Sequence, residues 1–247
     1  MNDSSKKLDV LKVKDPKKKI HPLDKNLHPN LPRHPFLQLL VAPPKSGKSN
    51  LIMNMLFNEE FYNAQDYWEE VVFISPTADY DSTLKNFLPM LENCVRITDP
   101  EEIANLEGLL REICKGQMEL KKKNEDMKRI LVVLDDCVGF MDKSLGILCS
   151  KYRHYNLTII ITSQSFRAIP LITRNCAGNL IIFHLNSGKE WEKITTEHGE
   201  NFSEDFEAIA RDNTEVKYSF VMLNNETMKM TAGFNQVLID AEARDGE

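Results

Sequence analysis

From residue 36 onward the hydrophobic positions fall into short, nearly unbroken runs, most of them separated by stretches of helical spacing. Residues 36–42 (FLQLLVA) form the first run, which ends in a Pro/Gly loop before NLIMNMLF takes up helical spacing, so strand, loop and helix follow one another. Residues 71–76 (VVFISP) form a second run that ends in a polar turn, and CVRIT at residues 94–98 predicts a further short strand. Residues 130–136 (ILVVLDD), 157–164 (LTIIITSQ) and 179–185 (NLIIFHL) complete the set. Between residues 99 and 128 the pattern starts acidic and ends in lysines, which predicts one long surface helix aligned with its dipole.

Strands made of uninterrupted β-branched and leucine residues suit a parallel sheet covered on both faces, so the chain reads as an α/β doubly wound fold. The C-terminal part differs: KYSFVMLNNETMKMTAGF predicts a β-hairpin around Asn224, Asn225 and Glu226. The length suits one such domain, here residues 36–238, with an acidic tail at 239–247. Ahead of it, residues 1–35 form a basic arm. Its second half carries Pro22, Pro29, Pro32 and Pro35, which favour extended backbone. His21, His28 and His34 stand beside prolines without a partnering cysteine or acid cluster, a poor pattern for a metal site.

Charge is uneven. The chain as a whole carries −6, whereas residues 1–33 hold nine Lys/Arg against four Asp and so carry +5. Such a segment, like the Lys121, Lys122, Lys123 cluster, suits a polyanion or an acidic partner, or is simply a solvated terminus. No apolar run reaches the roughly 18 residues of a membrane span, and the lysine-rich start has no apolar stretch behind it, so neither a membrane partner nor a secretory signal is expected. Five cysteines without close spacing predict neither a disulfide framework nor a thiolate zinc site, and suit a reducing compartment.

The candidate chemistry lies at the ends of the predicted strands. Residues 42–49 (APPKSGKS) match the phosphate-binding pattern G-x-x-x-x-G-K-[ST] except at Ala42. Backbone N–H groups in such a loop surround the β-phosphate of ATP and the following helix adds its positive end, which makes Lys45, Ser46, Gly47, Lys48, Ser49 and Asn50 the candidate nucleotide-binding residues. Lys48 would bridge the β- and γ-phosphates and the Ser49 hydroxyl would ligate Mg2+. Asp135 and Asp136 at the mouth of a buried strand call for a cation. Asp135 would orient Mg2+, and Asp136 would act as general base, or else cap the next helix. Gln164 at the tip of the next strand would sense the γ-phosphate or position water, or merely satisfy loop backbone. Arg153 and Arg174 flank that strand, each a candidate trans-acting arginine or an ordinary surface one.

Taken in order, HPFLQLLVAPPKSGKSNLI, ILVVLDD and YRHYNLTIIITSQSF with its following TRN resemble the DNA-packaging ATPases of large DNA viruses and virophages, the poxvirus type among them, within the FtsK–HerA superfamily of P-loop NTPases. The similarity covers about residues 34–185. It implies a RecA/FtsK–HerA-type fold, and a ring of five or six identical subunits that completes its sites between neighbours. Such a ring moves double-stranded DNA into a capsid, against a capsid or portal protein. The expected location is the host-cell cytoplasm or viral factory, or the virion itself. Asp135 and Asp136, in place of an Asp-Glu pair, fit the viral branch, while Ala42 departs from the pattern. Rival classes are a small-molecule or nucleoside kinase, for which no acceptor domain or arginine-rich lid is evident, a GTPase, which lacks its guanine-reading run, and a nucleotide-gated adaptor without turnover.

Overall fold

The computed structural model describes residues 21–241. Strand β1 (Leu37–Val41) leads through the phosphate-loop segment into α1 (Lys48–Phe57) and a short α2 (Ala64–Tyr67). Then come β2 (Glu70–Ile74), α3 (Ser82–Phe87), β3 (Cys94–Ile97), α4 (Pro100–Ile103), α5 (Leu106–Lys122) and β4 (Ile130–Asp135). Next are α6 (Lys143–Cys149), β5 (Leu157–Ser163), α7 (Leu171–Cys176), β6 (Asn179–Phe183), α8 (Gly188–Glu197) and α9 (Phe206–Asp212). A meander of β7 (Phe220–Asn224), β8 (Lys229–Ala232) and β9 (Gln236–Asp240) closes the chain. All nine strands join one sheet in the order β3-β2-β4-β5-β1-β6-β7-β8-β9. The first six are mutually parallel, and β7, β8 and β9 add on in antiparallel fashion.

The unbroken apolar runs follow from burial on both faces. Leu37, Leu39 and Val41 point into one core with Val132, Leu134 and Ile161, covered by α4 to α9. Leu40 and Ala42 point into the other with Val71, Phe73, Leu131 and Ile160, covered by α1, α2 and α3. In α5 the buried residues Leu106, Leu110, Cys114 and Gln117 recur every three or four positions, the stripe that faces a sheet. All five cysteines are unpaired.

Three boundaries differ from expectation. The single helix over 99–128 is two: Asp99 caps α4, and the chain restarts at Asn105 to form α5, which stops at Lys122 before Asn124 turns left-handed. The acidic tail placed at 239–247 begins later, because Ile239 is buried and Asp240 pairs with Lys229 at 3.0 Å as part of β9. The arm placed at 1–35 is no free segment over its second half. Leu27 and Leu31 enter the core beside α1, Tyr62 donates to the Pro32 carbonyl, and Asp24 is buried where the Tyr67 hydroxyl and Arg129 meet it. Residues 1–20 of that arm, and tail residues 242–247, lie outside the described residues.

The arm's histidines make contacts within the fold: His21 accepts from the Leu23 amide and His28 from the Asn30 amide, both at 3.3 Å. His34 is wedged between Asn156 and Thr158: its Nε2 lies 3.0 Å from the Asn156 Oδ1 and its Nδ1 2.8 Å from the Thr158 hydroxyl. The amide oxygen only accepts, so Nε2 carries a proton, and in the neutral ring the Thr158 hydroxyl donates to Nδ1. Burial, helped by the nearby Arg129 charge, lowers the His34 pKa from 6.5 to about 4. The unfolded chain therefore takes up this proton first as the solution is acidified. The His34 contribution to stability is complete above pH 6.5 and is lost as pH falls toward 4, by an amount on the order of 3 kcal/mol. Urea midpoints measured from pH 7 to 4 should fall more steeply for the unmodified protein than for His34→Gln; parallel curves would refute the assignment.

Candidate functional site

Because β1, β2, β4, β5 and β6 are parallel, their C-terminal ends share one rim, where ligands of open α/β sheets bind. A cleft of about 680 Å³ opens there, bounded by the β1–α1 loop, the β2–α3 loop, the tips of β4 and β5, and the segment before β7.

In the β1–α1 loop Lys45 (φ 62°) and Gly47 (φ 99°) both adopt the left-handed conformation, which turns successive N–H groups toward one hollow. Helix α1 starts at Lys48 without a side-chain cap, and the N–H groups of Gly47, Lys48 and Ser49 have no acceptor among the described residues. An anion is what such a helix start lacks. Ala42 needs no glycine's freedom: it is buried in the core beneath α1, and its N–H continues the β1–β5 ladder to the Ser163 carbonyl at 3.0 Å.

Opposite the loop, Asp135 is nearly sealed from solvent. Thr162, its register partner on β5, donates to its Oδ1 at 2.7 Å, and Ser75 at the end of β2 donates to its Oδ2 at 3.0 Å. The Lys48 ammonium lies 3.3 Å from Asp135 and makes a close ion pair with Asp136. Asp136 itself turns left-handed (φ 51°), with its N–H donating to Thr162 at 3.1 Å. Its carboxylate is thus given to Lys48 and caps no helix.

Ser49 donates to Asp81 at 2.7 Å. Part burial raises the Asp81 pKa, but hydrogen bonds from Ser49 and the Leu84 and Thr83 amides, with the Lys48 charge, outweigh it and hold the carboxyl below the usual range. The hydroxyl of Ser49 with the carboxylates of Asp81 and Asp135 is an all-oxygen donor set. It fits a hard divalent cation, which is commonly held by one or two carboxylates together with phosphate and water. Gln164 is exposed and lines the cleft; Asn50 lines it from α1.

The two arginines fare differently. Arg174 is buried: it grips Glu197 at 2.7 and 2.9 Å and donates to the Arg167 and Ile169 carbonyls. Every nitrogen of its guanidinium is engaged within the chain, so the expectation of a trans-acting Arg174 is withdrawn. Arg153 sits in a 3-10 turn before β5, over the Tyr152 ring and paired with Glu226, at the sheet end opposite the cleft. No arginine lines the cleft among the described residues.

Sequence reasoning missed Asp81, Thr162 as a link between the acids, and Lys217 and Tyr218, which line the cleft from the segment before β7. A helix-capping Asp81-Ser82-Thr83 after the second apolar run was a readable signal for the first. Nothing local marks the last two.

A profile of the poxvirus A32 protein family matches residues 27–201. No curated protein sequence gives a match. Among solved structures, the genome packaging NTPase B204 of Sulfolobus turreted icosahedral virus 2, in complex with ATP-gammaS, superposes with a TM-score of 0.55 at 16% identity, over 80% of this chain and 96% of that one. EssC (ATPases 2 and 3) from Geobacillus thermodenitrificans gives 0.56 at 15% identity, over 84% of this chain and 40% of its own. The type VII secretion ATPase EccC of Thermomonospora curvata gives 0.56 at 13%, over 85% and 27%. These likenesses share the α/β fold with its largely parallel sheet, and the profile match, over well more than half of the chain, places this protein in the poxvirus A32 family.

Proposed function

We propose that this chain is an ATP-hydrolysing motor that moves double-stranded DNA into a viral capsid. It would work as a homo-oligomeric ring of five or six subunits against a capsid or portal protein, in the host-cell cytoplasm or viral factory. One observation carries the enzymatic part: free N–H groups at the start of α1, the Lys48 ammonium and the Asp135–Asp136 pair converge on one cleft in a member of the poxvirus A32 family. The B204 NTPase, named for genome packaging, supports the rest by likeness of fold.

In this reading Lys48 exchanges Asp136 for the β- and γ-phosphate oxygens of ATP, one ion pair for another. The exchange leaves the Asp136 carboxylate facing the cleft, where it accepts a proton from the attacking water. Gln164, donor and acceptor in one group, orients that water without competing for its proton. Ser49 and Asp135 would hold Mg2+, with Asp81 fixing the Ser49 hydroxyl; the ion would offset charge on the transferring phosphoryl group. With no arginine lining the cleft among the described residues, the site in this reading is completed by a neighbour's. Strand β5 alone separates Arg153 from the rim by seven residues, roughly 23 Å. Arg153 therefore serves an adjacent subunit, its pair with Glu226 being exchanged on assembly. Lys121, Lys122 and Lys123, exposed at the end of α5, supply phosphate contacts for the duplex. A small-molecule kinase would stabilise transferring charge with arginines of its own lid.

Lys48→Ala should abolish ATP binding or turnover, read by equilibrium binding and phosphate release; near-normal turnover would refute the site. Asp136→Asn should keep ATP bound while slowing hydrolysis by about a hundredfold or more, because the amide retains size and loses basicity. Equal loss of binding would make Asp136 a ligand or a structural residue. For Arg153, mixing Arg153→Ala with Lys48→Ala tests the trans role. Mixed rings should recover ATPase activity that neither parent shows, and an Arg153→Ala protein that hydrolyses normally would eliminate it.

A further inference from the structure

Beside the phosphate cleft lies a second hollow of about 410 Å³, and Gly47, Asn50 and Tyr218 line both. The two differ in chemistry. The cleft is lined by charged side chains, whereas the hollow is walled by Phe61, Phe183, Phe220 and Phe234, and among the described residues no charged side chain lines it. Phe234 packs edge-on against Phe61 at 5.2 Å and against Phe220 at 5.1 Å, so the aromatic wall is braced from strand β7, the β8–β9 turn and the segment after α1. Leu51 and Asn54 supply the α1 side, within one turn of the residues that would take the phosphates.

Tyr218 stands where the two spaces meet. It holds a left-handed backbone (φ 72°), which a non-glycine residue rarely adopts without a reason. Its ring lies so close over Gly47 that a β-carbon there would come within 3.0 Å of Cδ1. The preceding Lys217 faces the cleft and places its ammonium 4.6 Å from the Tyr218 ring. The loop before β7 thus presents a cation to the phosphate side and an aromatic face at the boundary. Tyr80 also reaches the cleft, but from beside Asp81, on the side of the Ser49 hydroxyl, and it does not line the hollow.

A ligand that fills both spaces has a polyanionic end and a flat apolar end joined across Gly47 and Asn50. We propose that the base of the bound nucleotide occupies the aromatic hollow, with Tyr218 as the positioning residue that straps it to the phosphate loop. The inference rests on the nucleotide reading of the cleft and goes beyond it by assigning the base its own residues. A second phosphate group is excluded from the hollow, where no cation offsets the loss of its hydration. Asn50, Asn54 and Tyr218 are the lining residues with polar side-chain atoms; the Asn54 amide already donates to the main-chain carbonyl of Asn50 at 2.9 Å, and four phenylalanine rings make up most of the remaining wall. Recognition is therefore by ring faces and burial, which every purine offers, and adenine and guanine are accepted alike.

The test compares ATP, GTP and inorganic tripolyphosphate as ligands for the full chain, by calorimetry. Two variants are needed: Tyr218→Ala, which removes a largely exposed ring, and Asn54→Phe, which fills the hollow from α1. Each should weaken ATP and GTP by about tenfold or more, the scale of one lost base–aromatic contact, and leave tripolyphosphate within about twofold. Unchanged tripolyphosphate binding also shows that the phosphate loop remains folded. Parallel loss of all three ligands, unchanged ATP binding, or loss of one purine nucleotide alone would overturn the base assignment while the nucleotide reading stands. An unmodified protein that binds neither ATP nor tripolyphosphate would overturn both.

Discussion

The ion pair of Lys48 with Asp135 and Asp136 is the constraint around which this rim of the molecule is built. A carboxylate as buried as Asp135 is unfavourable by several kcal/mol unless it is paired and hydrogen-bonded. Here one oxygen receives Thr162 and Lys48 and the other receives Ser75, so the charge is met from the ends of β5 and β2 and from the start of α1. Removing any of these donors leaves a buried lone pair without a partner, which explains why polar residues stand at the tips of otherwise apolar strands.

That geometry depends on sheet order. Strands β1 and β4 are not neighbours: β5 lies between them, and the register that sets Asp135 opposite Thr162 and Val41 opposite Ser163 brings the loop lysine across to the acids. The sheet can hold this register because each strand is buried on both faces. A slip of one residue would exchange the two cores and turn Asp135 away from its donors.

The same interaction leaves the site poised for exchange. Lys48 is held by carboxylates, while the neighbouring N–H groups of the loop have no acceptor within the described chain. In the proposed reading, a phosphate entering the cleft would offer Lys48 a like charge and give the N–H groups the acceptor they lack, trading an internal ion pair for a ligand-bound one. The Asp81 carboxyl, held below its usual range, accepts from the Ser49 hydroxyl and keeps it oriented.

The order of elements and the chemistry of the loop were legible in the chain itself. Continuous apolar runs, one followed by the loop that carries Lys48 and Ser49 and one ending in Asp135-Asp136, state a twice-covered parallel sheet with cations and acids at one rim, because strand period and loop composition are local properties. The hairpin around Asn225 was legible for the same reason. Other features were decided only when distant segments met. Arg174 looked like Arg153 in sequence, yet it is consumed by Glu197 and two carbonyls, since burial depends on how α7 and α8 lie together. Residues 21–35 read as an extended arm because prolines break local structure, but Leu27 and Leu31 join the core beside α1, and Asp24 meets Tyr67 and Arg129, more than forty residues away. Strand β9 and the place of Tyr218 over Gly47 likewise arise from contacts across the sheet. Local periodicity fixes what each segment is; which side chains are left free to do chemistry follows from long-range packing, which no window of sequence contains.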